Sequence, residues 1–521
     1  MSPMDAGAIV VGAGHNGLVC AAYLARAGVP TILVEARDAV GGCASTVNAL
    51  GARVNIGNGD HSAVRTTPVL EELDLARHGL RYLPVEPLQL NLPWSGGPAW
   101  PLFSEQSRTE DALAATYPGE VEGFRRYLRD ARPAVELLLE LACVAPTAPA
   151  FVRSVLARRG RGIETILRWG RRSAAEVLAD YFTTDALIGP AIVTGPAVCG
   201  VSPFARGTGT GALSYAMKLV AGVARPQGGS GSLPGALLAA YEHAGGKVRL
   251  GANVTAITCD GPNVRGVRLS DGTVLEAPVV VSAADPRSTF VEWLTGAPTQ
   301  AAAMIDRWRH QTRPDGYESK LDAVVTELPS YRQVDARLAA RLGYDPLVPS
   351  TVVGPSAATI HAAHASAARG GVAERPLFLV SMPSVLDPTM VVPGADGGHV
   401  FSLEARYTPY ALDGGWAGSA EPERWLRTYS TLVQPGWLDS VRRHRTMTPA
   451  SYETEFHLPR GYATSFAGGP LAALRGKPTE LTRYRTAVKG LYLTGAATFP
   501  GAGVWGASGR NCANVVLAER S

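Results

Sequence analysis

The chain has 521 residues, of which 46% are hydrophobic, 18% charged and 7% aromatic. This length leaves room for roughly two to four folded domains, and the composition excludes collagenous, coiled-coil and disordered chains. The net charge of +4 is too small to indicate a nucleic acid as partner.

The cysteines and the N-terminal segment bear on the compartment. Six cysteines lie far apart without a C-x-x-C pair, so we expect neither a disulfide framework nor a zinc site, and a reduced cytosol fits. The first apolar run has no basic region or cleavage pattern before it, and no run approaches about 20 apolar residues, so we predict neither a signal peptide nor a membrane span. Most basic residues are arginines, which we interpret as the codon bias of a GC-rich, bacterial genome. We therefore predict a cytoplasmic protein.

The first forty residues predict a nucleotide-binding unit. Residues 8–11 read as a buried strand, residues 18–27 as a helix and residues 31–34 as a second strand. Between the first strand and the helix lies a G-x-G-x-x-G loop with Gly12, Gly14, Asn16 and Gly17. Its first glycine permits a tight turn, the second lets the main chain approach a pyrophosphate, and the third lets the helix pack on the strand. The helix N-terminus offers its N–H groups to the phosphates.

An acid follows the second strand. Glu35, with Ala36 and Arg37 behind it, falls where an acid accepts hydrogen bonds from ribose hydroxyls. Because an acid here disfavours a 2′-phosphate, the nucleotide belongs to FAD or NAD rather than NADP. An ordinary βαβ unit is the alternative to a dinucleotide site.

A double glycine follows Glu35 and the second strand. The segment Gly41-Gly42-Cys43-Ala44 gives a main chain that can wrap a second part of a long cofactor. It resembles the GG motif that follows the dinucleotide fingerprint in the amine oxidase and phytoene desaturase group of flavoproteins. This resemblance implies that the nucleotide is FAD.

The middle of the chain predicts a second αβ segment. A helix over 235–244 precedes strands at 247–250 and 254–257, a hairpin turns at Asp271-Gly272, and residues 279–281 read as a buried strand. In the phytoene desaturase family this order resembles the return of the chain to the FAD domain, which implies that the main chain at Val254 lies beside the adenine. An ordinary αβ unit fits the same residues.

The C-terminal segment contains a third motif. A strand over 490–496, with Gly495 and Ala496 at its end, leads into a glycine-rich loop and an apolar helix. A helix that begins near Val504 to Ala507 would direct its N-terminal dipole at the electron-rich end of a reduced flavin. This segment, with Val504, Trp505 and Gly506, resembles the final flavin-binding motif of phytoene desaturase-like proteins.

The resemblance covers nearly the whole chain. Segments 383–389, 398–403, 407–410 and 506–511 resemble the subgroup typified by pyridine nucleotide-disulphide oxidoreductase domain-containing protein 2. The family implies an α/β fold, in which a Rossmann-type FAD-binding domain is joined to a discontinuous α+β substrate-binding domain. We expect the FAD domain at 1–80, 225–290 and 485–521, and the substrate domain at 81–224 and 291–484.

One histidine is a candidate catalytic residue. His61 lies in the loop 55–62, where family members often carry a different turn facing the flavin. With a pKa near neutrality it could take a proton while the flavin takes a hydride. A histidine bonded to the main chain is the alternative, and we do not expect covalent flavin at His61 or Cys43. His361 and His364 have no third ligand, so we predict no metal.

These observations predict an FAD-dependent oxidoreductase that dehydrogenates a largely apolar organic molecule. The alternatives are flavin-dependent double-bond isomerisation or saturation, amine oxidase-type oxidation, and a non-catalytic FAD-bound scaffold. The electron acceptor, oxygen or a carrier, and the oligomeric state stay open. The arginine-rich segment 151–172, which contains Trp169, could be an amphipathic helix on an anionic membrane, although a solvated basic face or a subunit contact is the stronger interpretation.

Overall fold

The computed structural model describes residues 6–391, 398–466 and 469–520. Its strands, in chain order, are β1 Ala8–Val11, β2 Thr31–Val34, β3 Thr46–Ala49, β4 Ala52–Asn55, β5 Tyr82–Pro84, β6 Gln89–Pro93, β7 Trp100–Leu102, β8 Ala224–Pro226, β9 Lys247–Arg249, β10 Val254–Asp260, β11 Asn263–Leu269, β12 Val274–Glu276, β13 Val280–Ser282, β14 Leu294–Thr295, β15 Glu318–Val325, β16 Thr351–Gly354, β17 Leu377–Ser381, β18 His399–Arg406, β19 Val441–Met447 and β20 Leu491–Leu493.

The α-helices lie between and around these strands. In chain order they are α1 His15–Arg26, α2 Val69–Glu72, α3 Gln106–Thr116, α4 Val121–Ala142, α5 Ala148–Ala157, α6 Ile163–Trp169, α7 Ala174–Ala179, α8 Asp185–Val193, α9 Ser214–Ala221, α10 Ser232–His243, α11 Ala302–His310, α12 Ala336–Leu342, α13 Ala357–Ala367, α14 Pro383–Leu386, α15 Glu421–Ser430, α16 Pro449–Phe456, α17 Gly469–Leu474, α18 Thr479–Thr482 and α19 Ala507–Arg520.

A five-stranded parallel sheet contains the first strand of the chain. Its order is β20-β13-β1-β2-β9, and Ile9 of β1 pairs with Ile32 on one side and Val280 on the other. Every residue of β1, β2 and β13 is buried, which explains why these strands are continuous apolar runs. Helices α1, α10 and α19 pack on one face, and β10 and β11 contribute to the core on the other.

The predicted Rossmann-type α/β fold is confirmed. The strand expected at 254–257 is longer, β10, and the hairpin expected around Asp271-Gly272 joins β11 and β12 as an antiparallel pair. The predicted domain boundaries stay a prediction, and their outermost residues, 1–5 and 521, lie outside the described part. The strands of the parallel sheet fall within 8–34, 247–282 and 491–493.

A seven-stranded sheet, in the order β19-β15-β18-β17-β16-β6-β7, dominates the rest of the molecule. One face is apolar, with Leu321 and Leu403 in a core that also contains Trp425 of α15. The opposite face, which we call the inner face, carries five polar residues toward the β3–β4 hairpin: Lys320, Asp322, Ser402, Glu404 and Arg406. Alternation along β15 and β18 produces these two faces.

The arginine-rich segment forms two helices, α5 and α6, rather than one. Gly160 and Gly162, in the segment between α5 and α6, have φ values of 73° and 85°. These left-handed conformations interrupt the helix. Trp169 is only 1% exposed and stacks on Tyr127, with ring centroids 6.0 Å apart. The tryptophan expected at a membrane surface is therefore in the core. In the described part of the chain, no helix has the length and apolarity needed to cross a bilayer.

Candidate active site

The three glycines of the first loop have different structural roles. Gly12 has a φ of +96°, so it supplies the turn that ends β1. A Cβ on Gly17 would lie 2.0 Å from the carbonyl oxygen of Gly12, so this position must stay small for α1 to pack. Gly14 has an ordinary φ of −65°, and a Cβ there would meet no atom within 4 Å. The open space beside Gly14 is what a close-approaching ligand requires.

Glu35 joins the ends of the first two strands. Its Oε2 accepts a hydrogen bond from the N–H of Ala13 at 2.7 Å, and its Oε1 accepts one from the N–H of Arg37 at 3.0 Å. The residue is only 9% exposed. The position of the carboxylate is therefore fixed at the carboxyl end of β2. This is where the sequence predicts the ribose of the nucleotide.

The double glycine brings the next segment against the first loop. Gly41 and Gly42 have φ values of 120° and 54°, and the N–H of Gly41 donates to the carbonyl of Ala13 at 2.8 Å. A Cβ on Gly42 would lie 3.3 Å from the Cα of Gly14. The two glycine segments thus form one wall of the site.

The C-terminal motif packs on the N-terminal one. Helix α19 begins at Ala507, at the end of the predicted range, and a Cβ on Gly509 would lie 2.2 Å from the carbonyl oxygen of Asn16 in α1. The Oγ of Ser508 accepts a hydrogen bond from the N–H of Gly495 at 3.0 Å. The first and last segments of the chain are therefore parts of one site.

These elements enclose a groove of about 520 Å³, within the size range of cofactor and ligand sites. The predicted residues that line it are Gly12, Gly14, Asn16, Gly17, Glu35, Ala36, Arg37, Gly41, Gly42, Cys43, Val254, Gly495 and Ala496. The other predicted cofactor residues, Ala44, Val504, Trp505 and Gly506, are outside this lining. For these four the predicted cofactor contact stays a prediction.

Several lining residues are ones that sequence reasoning missed. Residues of the segment 456–464 also line the groove, and the Arg37 guanidinium lies 4.2 Å from the ring centroid of Phe456. His15 also lines the groove, and its Nε2 accepts from the side-chain amide of Asn16 at 3.1 Å. Burial lowers the pKa of His15 to about 4, although a hydrogen bond to the main chain of Gly503 opposes the change.

The residues present fit FAD. The Oδ1 of Asn16 and the Nη1 of Arg37 are buried at the groove and have no hydrogen-bond partner in the described part of the chain. Buried polar atoms are normally bonded, and a ligand rich in hydroxyl and phosphate groups would satisfy both. The open side of Gly14 provides the matching close approach for a pyrophosphate.

His61 lies in the interior rather than on the groove. It is 0% exposed, its Nδ1 lies 3.0 Å from the hydroxyl of Tyr82, and its Nε2 lies 2.7 Å from the Oγ of Ser230. Burial lowers its pKa to about 3, and the neighbouring His15 acts in the same direction. The ring is therefore neutral with both nitrogens engaged, an arrangement that favours a structural role over the proton transfer expected from the sequence.

Buried charges hold the loop around His61. Lys320 Nζ donates to the carbonyl of Asn55 at 2.6 Å, and Arg225 Nε donates to Asp60 Oδ1 at 2.7 Å. Ser350 Oγ donates to Asp60 Oδ2 at 2.5 Å. Burial acts to raise the pKa of Asp60, but Arg225 and its other polar neighbours together lower it. These contacts come from β8, from β15 and from the residue before β16, so they tie the loop to distant segments of the chain.

The parallel sheet, the glycine loops and the capped groove define a dinucleotide-binding flavoprotein. The chain belongs to the family described as flavin containing amine oxidoreductase, which matches residues 17–310. It is an FAD-dependent oxidoreductase.

Relatives extend this likeness over the full length. The mouse protein named pyridine nucleotide-disulfide oxidoreductase domain-containing protein 2 is 29% identical, over 98% of this chain and 93% of the relative. Lycopene-forming phytoene desaturase from a Paracoccus species is 27% identical, over 99% and 98%. The phytoene desaturase-like resemblance is therefore confirmed.

Solved structures show the same fold. Putrescine oxidase bound to putrescine superposes with a TM-score of 0.63 at 18% identity, covering 98% of this chain and 99% of that chain. Cyclohexylamine oxidase from Brevibacterium oxydans gives 0.59 at 16% identity, covering 99% of each. At this identity the likeness extends to the fold alone.

Proposed function

We propose that the chain dehydrogenates a largely apolar organic molecule. When bound, FAD supplies the acceptor for a hydride taken from the substrate. The observation that carries the proposal is the groove lined by the glycine loops and by apolar residues of segment 456–464. Its cap includes Phe456, Leu458 and Tyr462, and such side chains exclude water from the cofactor.

The chain's own residues have the positioning roles in this proposal. The N–H groups of the first loop and of α1 hold the pyrophosphate, Glu35 accepts from the ribose, and the main chain at Val254 lies beside the adenine. The Oδ1 of Asn16 accepts a hydrogen bond from the cofactor, and the Nη1 of Arg37 donates one to it. Both atoms have no partner within the described part of the protein. Relatives named phytoene desaturases support an apolar substrate for this chain as well.

An absorption spectrum and an anaerobic incubation test this function. The purified protein is measured before and after denaturation, and is then mixed without oxygen with fractions of a lipid extract and with a panel of primary amines. We expect flavin to be released on denaturation and bleached by a lipid fraction, with a product two hydrogens lighter by mass spectrometry. Bleaching by amines alone would support amine oxidation, and a protein that never takes up FAD would contradict the proposal.

The same experiment separates the remaining alternatives. A double-bond isomerase or saturase would need flavin that is reduced beforehand and would give no net electron output. A scaffold would retain flavin that no fraction bleaches. Adding oxygen or a quinone to the bleached protein then identifies the electron acceptor, which the sequence leaves open.

Peripheral contact with an anionic membrane is a second proposal for the same enzyme. Val152 and Leu156 on α5 are 52% and 70% exposed, and Leu167 on α6 is 40% exposed. Four exposed arginines around them form no ion pair within the described part of the chain: Arg153, Arg159, Arg161 and Arg171. Apolar side chains among unpaired cations favour an anionic lipid surface. A cytoplasmic location and a bacterial origin also stay predictions.

Vesicle sedimentation tests the membrane proposal. We expect binding to phosphatidylglycerol vesicles but not to phosphatidylcholine vesicles, with loss of binding in a Val152→Ser, Leu156→Ser double variant. Val274→Ser with Leu250→Ser is the matched control, because these residues are 52% and 42% exposed elsewhere on the surface. Equal binding by both double variants would overturn this proposal.

A further inference from the structure

Helix α1 begins with two residues whose side chains line the cofactor groove. They are His15 and Asn16, the adjacent pair of variable positions in the G-x-G-x-x-G loop. Asn16 is only 4% exposed, and the residues on either side of the pair are glycines. Because glycine has no side chain, His15 and Asn16 decide which polar side-chain groups this part of the groove offers to a ligand.

The amide of Asn16 has a protein partner at one end only. Its Nδ2 lies 3.1 Å from the Nε2 of His15, whereas its Oδ1 is buried and has no hydrogen-bond partner in the described part of the chain. Buried polar atoms are normally bonded, and a buried atom without a partner is costly. The oxygen is therefore available to a donor group of a ligand.

The contact with Asn16 fixes the tautomer of His15. An amide nitrogen can only donate, so the Nε2 of the ring accepts, and a neutral ring then carries its proton on Nδ1. Burial lowers the pKa of His15 to about 4, so the ring is neutral near neutral pH, whereas a hydrogen bond to the main chain of Gly503 acts to raise this pKa. A main-chain group has that effect when its carbonyl oxygen accepts from the ring. The Nδ1 proton therefore belongs to the bond with Gly503.

The carbonyl of Gly503 in this way determines the orientation of the Asn16 amide. With the amide turned over, Nε2 of His15 would have to donate to Oδ1, and Nδ1 would face the carbonyl oxygen without a proton. Two acceptors that face each other in a buried place are unfavourable. The observed orientation satisfies both ring nitrogens, and it leaves the oxygen of the amide, rather than its NH2 group, for a ligand.

The loop that carries Gly503 belongs to the C-terminal motif. Gly503 has a φ of +111°, and a Cβ on it would lie 3.0 Å from the Nε1 of Trp505, which donates to the carbonyl of Ala502 at 3.0 Å. Residues 504–506 lie outside the lining of the groove. The bond from His15 to Gly503 therefore gives this motif a way to act on the groove that the lining alone does not show.

The free oxygen of Asn16 selects among the polar groups of FAD. It can only accept, so it repels phosphate oxygens and takes a hydroxyl. In FAD the pyrophosphate, which approaches at Gly14, lies between two groups with hydroxyls, the ribose and the ribitol. Glu35 is placed for the ribose, whereas α19 of the C-terminal motif packs on Asn16, since a Cβ on Gly509 would lie 2.2 Å from its carbonyl oxygen. The ribitol hydroxyls are therefore the donors that remain for Asn16.

We propose that His15 is a positioning residue for the cofactor, which holds the amide of Asn16 so that Oδ1 accepts a hydrogen bond from a ribitol hydroxyl of FAD. This inference rests on the cofactor position in the proposed function. His15 exchanges no proton with the cofactor or the substrate, because both of its ring nitrogens are engaged. Its effect on the cofactor should therefore pass through Asn16.

The rate at which the FAD-bound protein releases its cofactor tests this inference. Release after dilution is followed by the fluorescence of free FAD in the wild type, His15→Leu, Asn16→Ala and the double variant. We expect each single change to speed release by about tenfold, the effect of one hydrogen bond, and the double variant to be no faster than Asn16→Ala. Release that is about 100-fold faster in the double variant, the product of two independent effects, would overturn the inference.

His15→Gln is the matched conservative variant. Its amide has a donor and an acceptor, so it can bond to both Gly503 and Asn16, whereas leucine can bond to neither. We expect His15→Gln to release FAD at nearly the wild-type rate. If it releases FAD as fast as His15→Leu, the ring only fills space and the inference is wrong.

Nitrogen NMR of the FAD-bound protein tests the tautomer directly and does not depend on the folding of His15→Leu. Protein labelled in its histidine nitrogens is compared with labelled His15→Gln, which identifies the signals of His15. We expect a neutral ring with its proton on Nδ1, and a proton on Nε2 would contradict the assigned orientation of Asn16. A wild type that retains no FAD would contradict the proposed function itself, whereas retained FAD with an Nε2 proton overturns this inference alone.

Discussion

Lys320 donates a hydrogen bond from Nζ to the main-chain carbonyl of Asn55, and the two atoms are 2.6 Å apart. This contact joins β15 of the seven-stranded sheet to the end of β4, in the hairpin beside the cofactor groove. The ammonium group also pairs with Asp322 and is 2% exposed, so it has few other positions available. The seven-stranded sheet therefore helps to set the position of the loop that carries Gly57, Asp60 and His61.

Replacing Lys320 by methionine should destabilise the whole fold. Lys320→Met retains an unbranched side chain one atom shorter than lysine, but it leaves the carbonyl of Asn55 without its donor and Asp322 without one of its cations. Breaking a buried pair in this way costs about 3 to 5 kcal/mol of the free energy of unfolding, which urea denaturation measures. Lys477→Met is the control, because that lysine is exposed; equal loss in both variants would contradict the role assigned to Lys320.

Two glycines of the first loop should respond in opposite ways to valine. Gly14→Val should fold, because its φ of −65° is ordinary and its Cβ direction is open, but it should not bind FAD, because the side chain occupies the path of the pyrophosphate. Gly17→Val should fail to fold, because its Cβ would lie 2.0 Å from the carbonyl oxygen of Gly12. Circular dichroism and flavin absorbance separate these outcomes, and yellow Gly14→Val protein would count against the assigned position of the cofactor.

The parts of this fold that could be predicted are those whose determinants are local in the chain. The turn at Gly12, the packing of α1 at Gly17 and the burial of β1 depend on neighbours within one βαβ unit. The residue types of this unit are therefore enough to predict these three features. Glu35 was predicted for the same reason, and the structure adds that its carboxylate bonds to the main chain at Ala13 and Arg37.

The other half of the site depends on contacts between distant segments. The sequence separation between Lys320 and Asn55 is 265 residues, and no local pattern near either residue indicates the other. Phe456 packs on Arg37, and Tyr82 and Ser230 occupy the two nitrogens of His61. Because these partners cannot be known from the sequence, the pKa of histidine in water makes His61 a candidate proton acceptor beside the alternative of a histidine bonded to the main chain, whereas burial governs its pKa in the fold.

His61→Ala should lower stability rather than alter the chemistry. The change leaves the hydroxyl of the buried Ser230 and that of the half-buried Tyr82 without their partner, and a buried unsatisfied group costs about 1 to 3 kcal/mol. We expect a lower midpoint of thermal unfolding, partial recovery in His61→Gln, and a pH profile of flavin bleaching that matches the wild type. A stable His61→Ala protein with slow bleaching would instead support the proton transfer predicted from the sequence.

The pH dependence of stability should show the buried carboxyl of Glu404. Its pKa is raised from 4.5 to about 7 by burial, whereas the guanidinium of Arg406, 2.8 Å from its Oε2, favours the ionised form. The stability that this group contributes is complete below about pH 4.5 and is lost as the pH rises through about 7. The loss is up to about 3 kcal/mol, at 1.36 kcal/mol for each pKa unit.

Other groups titrate in the same range with the opposite sign, so a difference between two proteins is needed. The pKa values of His15 and His61 are lowered to about 4 and about 3, and their contribution is lost as the pH falls from about 6.5 toward those values. Subtracting the free energy of unfolding of the wild type from that of Glu404→Gln removes the histidines. The difference should grow in favour of Glu404→Gln between about pH 4.5 and about pH 7 and stay constant above, and a difference that does not change with pH would show that Glu404 does not titrate in this range.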